Sequence, residues 1–124
     1  MYSLPQEIEV WYIIPAIRKG LARALTEDHG LSYEKAGDIL GISKAAISQY
    51  LSNKRANNVE LSEEIKKEII KSADIIHKNP LFAVHEIQRI LNLMKMRKDS
   101  CIVCKKFNKD VIKYCNSTPT YHIQ

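Results

Sequence analysis

The stretch "GDILGISKAAISQYLSNKR", residues 37–55, decides how this chain is read. Two short helical patterns meet there at Gly41-Ile42-Ser43. The second carries alanines and small polar residues where a solvated helix face ordinarily holds long charged ones. A helix-turn-helix makes three demands on sequence. It needs a small residue where the helices approach, a glycine in the turn, and apolar residues at fixed offsets, which hold the helices crossed at roughly 90–120°. Counting from Tyr33 as the first position, Gly37 fills the fifth slot, where only a small residue fits, and Gly41 the ninth, the turn glycine. Ala36, Leu40, Ile42, Ile47 and Tyr50 fall where burial is expected.

The outward side of the second helix then shows Lys44, Ala45, Ser48, Gln49 and Ser52. Short side chains suit a groove: the DNA major groove is about 12 Å wide and admits a helix that is not propped out. Gln49 is of a type that hydrogen-bonds bidentately to adenine, Ser48 can pair with either kind of base, and Ala45 can meet a thymine methyl. Ser43, Asn53, Lys54 and Arg55 are placed for phosphates, which fix position without reading sequence. The competing reading is a helical hairpin in a core with a solvated small-residue face, and Gln49 alone could be an ordinary surface glutamine.

Residues 15–55, "PAIRKGLARALTEDHGLSYEKAGDILGISKAAISQYLSNKR", resemble the DNA-binding domain of lambda-repressor/Cro-type (XRE family) transcriptional regulators, and most of all the short archaeal ones. "AAISQYLSNKR" is the most specific part of the likeness. The resemblance implies a bundle of four or five helices and a homodimer on duplex DNA with two half-sites. It also implies base contacts from Lys44, Ala45, Ser48 and Gln49. The family's fifth slot is usually Ala; here Gly37 stands in it, at a helix-propensity cost of roughly 1 kcal/mol.

Outward from this stretch, helical spacing continues and strand signals are weak. After Pro15, expected in the first turn of a helix, Ile17, Leu21, Ala24 and Leu25 form a stripe that ends before Gly30. Ser32 and Ser43 read as caps of the two short helices. Ser62, with Glu63 and Glu64, starts a longer helix striped by Ile65, Ile69, Ala73 and Ile76 and stopped by Asn79-Pro80. A further helix spans about 81–97 with Phe82, Ile87, Ile90, Leu91 and Met94 at helical spacing. The expected fold is therefore all-α. Residues 1–58 make a helix-turn-helix domain, 59–98 a helical dimerisation region whose stripes serve either as dimer face or as core, and 99–124 a cysteine-containing tail.

The chain has 124 residues and a net charge of +5, a mild basic bias that permits an acidic partner without demanding one. No stretch reaches the roughly 18 apolar residues of a membrane span, and no signal peptide is seen, so a cytoplasmic protein without a membrane partner is expected. No phosphate-binding glycine loop, Ser-His-Asp arrangement or paired carboxylates point to an enzyme.

The tail holds Cys101, Cys104, Cys115 and His122, a ligand count that fits zinc or an iron–sulfur cluster. Were 104–115 one continuous helix, its ends would stand about 16 Å apart; a shared site then requires a turn, for which Asn108-Lys109-Asp110 is the natural place. A redox disulfide and buried structural thiols remain open beside the metal site. His29, His77 and His85 read as ordinary surface or core residues. The function expected is a sequence-specific transcriptional regulator controlled by a metal or redox site in the tail. The alternative is a protein-interaction module, antitoxin-like or a transcription-complex partner, that uses the helix-turn-helix as scaffold.

Overall fold

A computed structural model of the chain describes residues 4–56 and 59–99. The tail residues Cys101, Cys104, Cys115 and His122 lie outside the described residues. Among the described residues the fold is all-α, with helices α1 (Pro5–Ile8), α2 (Ile14–Arg23), α3 (Tyr33–Leu40), α4 (Lys44–Leu51), α5 (Glu63–Lys78) and α6 (Ala83–Met96). None is long and apolar enough to cross a membrane.

The first helix starts earlier than expected. Pro15 stands in the first turn of α2, as expected, but helical backbone continues upstream of it. A π turn, Glu9–Ile13, joins α1 to α2, and a second, Ala24–Asp28, extends α2, with right-handed helical backbone at every junction. Proline inside a helix lacks an N–H and crowds the carbonyl four residues back. The wider π turn just before it, closed by Ile14 N–H donating to the Glu9 carbonyl, absorbs that misfit. The early start is held by the Glu7 carboxylate, which accepts from Leu4 N–H at 2.8 Å, and by Ile8 and Ile13, both fully buried.

Every serine cap expected from the sequence is made. Ser32 Oγ accepts from Lys35 N–H, Ser43 Oγ from Ala46 N–H, and Ser62 Oγ from Ile65 N–H. Asn79 ends α5 in extended backbone, and its side chain accepts from Leu81 N–H to start a short 3₁₀ turn, Pro80–Phe82, that leads into α6.

One core serves the whole of the described fold. Ile17, Leu21 and Leu25 of the first helix meet Ile47 of α4, Ile65 and Ile76 of α5, and Ile90 and Met94 of α6 in a single buried cluster. Each such side chain contributes about 1.5–3 kcal/mol by leaving water. Gly20 lets α2 and α5 close up: a Cβ there would stand 2.9 Å from Ile69 Cδ1. Most residues of the stripes of 65–76 and 82–94 line the chain's own core. Phe82 departs from its stripe. It sits in the 3₁₀ turn before α6 begins, is about half exposed, and Ala83 takes the inward position instead.

Candidate nucleic-acid interface

The α3–α4 pair is built around a backbone approach. A Cβ on Gly37 would stand 2.6 Å from the carbonyl oxygen of Ile42, so only glycine allows the turn to fold this tightly against α3. Ile42 N–H donates to the Gly37 carbonyl at 2.9 Å across the same gap. Gly41 closes α3 with φ +73°, a left-handed conformation that side chains other than glycine's disfavour. Ala36, Leu40, Ile47 and Tyr50 are buried, and Ile42 packs half-buried against the core.

With the inner face so anchored, Lys44, Ala45, Ser48 and Ser52 are exposed on one side of α4, and Gln49 among them is half-buried. These positions recur at helical spacing, so they form one face. It is flanked by a polar loop. Asn53 takes a left-handed φ of +61°, and its Oδ1 accepts from Arg23 Nη2 at 3.5 Å. Lys54 N–H donates to the Gln49 carbonyl at 2.8 Å and Ser52 Oγ to the same carbonyl at 3.4 Å. Lys54 and Arg55 are exposed, and the Arg55 guanidinium lies 5.7 Å from the centre of the Tyr50 ring. That is within cation–π range, so Arg55 is steered rather than free to wander. The nine expected contact residues therefore fall together: Ser43 at the cap, Lys44, Ala45, Ser48, Gln49 and Ser52 on the helix face, and Asn53, Lys54 and Arg55 in the loop beyond it.

Two features escaped sequence reading. The first is a buried polar cluster between α5 and α6. Ser72 Oγ donates to Glu86 Oε1 at 2.7 Å, while Arg89 donates to Glu86, to Glu68 and to Ser72 Oγ at 3.0, 2.8 and 2.8 Å. Burial works to raise the Glu86 carboxyl, but hydrogen bonds from Ser72, Arg89 and His85 outweigh it and hold the group below the usual carboxylate range. The Arg89 hydrogen bond, ahead of opposing burial, likewise holds Glu68 low. Burial alone would ease the proton off Arg89; its two carboxylate partners prevail and keep it charged. The signal was present: Ser72 and Glu86 stand on the apolar stripes Ile65-Ile69-Ile76 and Ala83-Ile90-Met94.

The second is a cleft of about 540 Å³ between the first helix, α5 and the loop after α4. Its charged lining is Lys19, Arg23 and Lys66 against Glu27, Asp28 and Glu60, which favours no one sign of ligand. Among the described residues no group of three or more His, Cys, Asp and Glu is arranged for a metal ion. His29 and His77 stack face to face with ring centres 4.4 Å apart, and His85 Nδ1 lies 3.1 Å from Glu86 Oε2. Comparisons with family models, with curated proteins and with solved structures find no match to this chain.

Proposed function

We propose that this chain is a sequence-specific DNA-binding transcriptional regulator of the lambda-repressor/Cro type, acting in the cytoplasm as a homodimer on duplex DNA. The observation that carries the reading is the α4 face. Lys44, Ala45, Ser48 and Ser52 are short or flexible and exposed, on a helix clamped by the Gly37 approach and followed by a loop that holds Lys54 and Arg55 outward. A groove-binding helix needs this combination of a slim outer face and a rigid inner one. In this reading Gln49, Ser48 and Ala45 meet base edges, while Ser43, Asn53, Lys54 and Arg55 meet phosphates. The tail residues Cys101, Cys104 and Cys115 with His122 would set the affinity through zinc, an iron–sulfur cluster or thiol redox state.

Binding of selected and random duplexes over a salt series tests it. Gln49→Ala is expected to weaken the preferred duplex by about 1–3 kcal/mol while sparing random DNA. Lys54→Ala is expected to weaken both alike and lower the salt slope by about one. Equal, salt-independent affinity for all duplexes would discard the reading. It would favour a protein-interaction module, for which the exposed Leu81, Phe82 and Val84 offer an apolar surface.

A further inference from the structure

Arg23 stands outside the helix-turn-helix, in the last turn of α2, yet its side chain reaches the loop that follows α4. Its Nη2 donates to Asn53 Oδ1 at 3.5 Å. Both ends of that contact are fixed by other interactions. α2 is pinned by the fully buried Ile17 and Leu21 and packs on α4. The loop is turned by Asn53 N–H, which donates to the Tyr50 carbonyl at 3.2 Å, with Asn53 itself in left-handed backbone. The first helix thus brings a guanidinium beside the loop that presents Lys54 and Arg55.

That guanidinium has capacity left. It carries several N–H donors in a planar fork, and one amide oxygen at the outer limit of hydrogen-bond length uses little of it. Glu27, Asp28 and Glu60 line the same cleft as Arg23, but among the described residues none of them forms an ion pair with it. Lys19, one turn back on α2, is held below the usual lysine range by burial and then by the Arg23 charge, so that charge is felt locally rather than cancelled. A carboxylate partner would make Arg23 structural. A fork held in place without one suits an anion with two oxygens side by side, and the DNA phosphodiester offers that pair.

We propose that Arg23 is a further phosphate-binding residue, contacting the same stretch of DNA backbone as Asn53, Lys54 and Arg55. Resting on the DNA-binding reading and extending it, this contact comes from α2 rather than from the helix-turn-helix. Phosphates held from two elements of one core fix the angle at which α4 enters the groove, whereas the loop alone leaves it free to pivot.

Duplex binding over a salt series tests it in the full chain. Arg23→Gln removes the charge and keeps an N–H donor. It is expected to weaken selected and random duplexes alike and to lower the salt slope by about one. Arg23→Lys restores the charge and is expected to return the slope. Lys66→Gln removes a cation from the same cleft, one already paired with Glu63 at 3.4 Å, and is expected to leave the slope unchanged. An unchanged slope in Arg23→Gln, while the native chain binds with salt dependence, overturns the contact and leaves the proposed function standing. An equal fall in Lys66→Gln also overturns it, because net charge alone would then be at work. Native chain that shows no salt-dependent binding overturns both. Should Arg23→Gln lower the unfolding midpoint, phenylglyoxal modification of the native chain decides: added duplex is expected to protect Arg23, and an unprotected Arg23 overturns the assignment.

Discussion

The two helical pairs of this fold spend their polar chemistry in opposite directions. Between α5 and α6, Ser72, Glu86, Arg89 and Glu68 bond to one another across the interface. Between α3 and α4 the contact is made by Gly37 against the backbone of Ile42 and by small apolar residues, and the serines, glutamine and lysines face water. A pair that satisfies its polar groups internally is a structural clamp. A pair that leaves them outward on a rigid base is what the proposed DNA contact requires. Changes in the buried cluster should therefore act on stability, and changes on the α3–α4 face on the proposed binding.

The largest expected effect tests the clamp. Glu86→Ala removes one of the two carboxylate partners of Arg89 and the acceptor of the Ser72 hydroxyl, while Glu68 still holds Arg89, and is expected to cost about 1–3 kcal/mol in urea unfolding. A loss within about 0.5 kcal/mol, the range of an ordinary surface change, would mean the cluster holds nothing together. The same cluster sets the acid response. Glu86 and Glu68 have folded-state values below their unfolded ones, so their stabilisation is complete above about pH 4.3 and is lost as pH falls through the lower folded values. The unfolding midpoint should drop with acidification below about pH 4.3 in the native chain. It should drop less in Glu86→Ala, which has lost one of the two carboxylates.

Gly37→Ala comes next. Alanine gains roughly 1 kcal/mol of helix propensity, but its Cβ would sit 2.6 Å from a carbonyl oxygen that cannot swing aside as a side chain can. A net loss of about 1–2 kcal/mol is expected, together with weakened DNA binding as α4 tilts. A stabilised Gly37→Ala chain would show that the approach relaxes cheaply. A loss would show that the turn is closed too tightly for a Cβ at this position. The smallest effect is Ser43→Ala, expected to cost about 1 kcal/mol through the lost cap and measured as a lower unfolding midpoint.

Much of this was legible in one dimension because the interactions are local. Caps are made three residues from their donors, Gly41 ends a helix by its own φ, and a stripe at helical spacing finds whatever core is near. Pro15 marks the first turn of α2, as proline there does, while the π turn and the buried Ile8 and Ile13 that extend the helix upstream carry no such marker. Phe82 misled because Asn79 starts a 3₁₀ turn that rotates it out of register with α6.

What the sequence determined alone was the all-α class, the paired short helices with their glycine turn, and the set of residues on the α4 face. Periodicity and backbone preference act within a few residues of chain. Only the tertiary structure decided three further things: that the stripes of α5 and α6 close on α2, that Glu86 is buried with partners from α5, and that Gly37 meets Ile42 too closely for a Cβ. Each depends on how helices cross, and crossing is set by the shapes of residues distant in sequence.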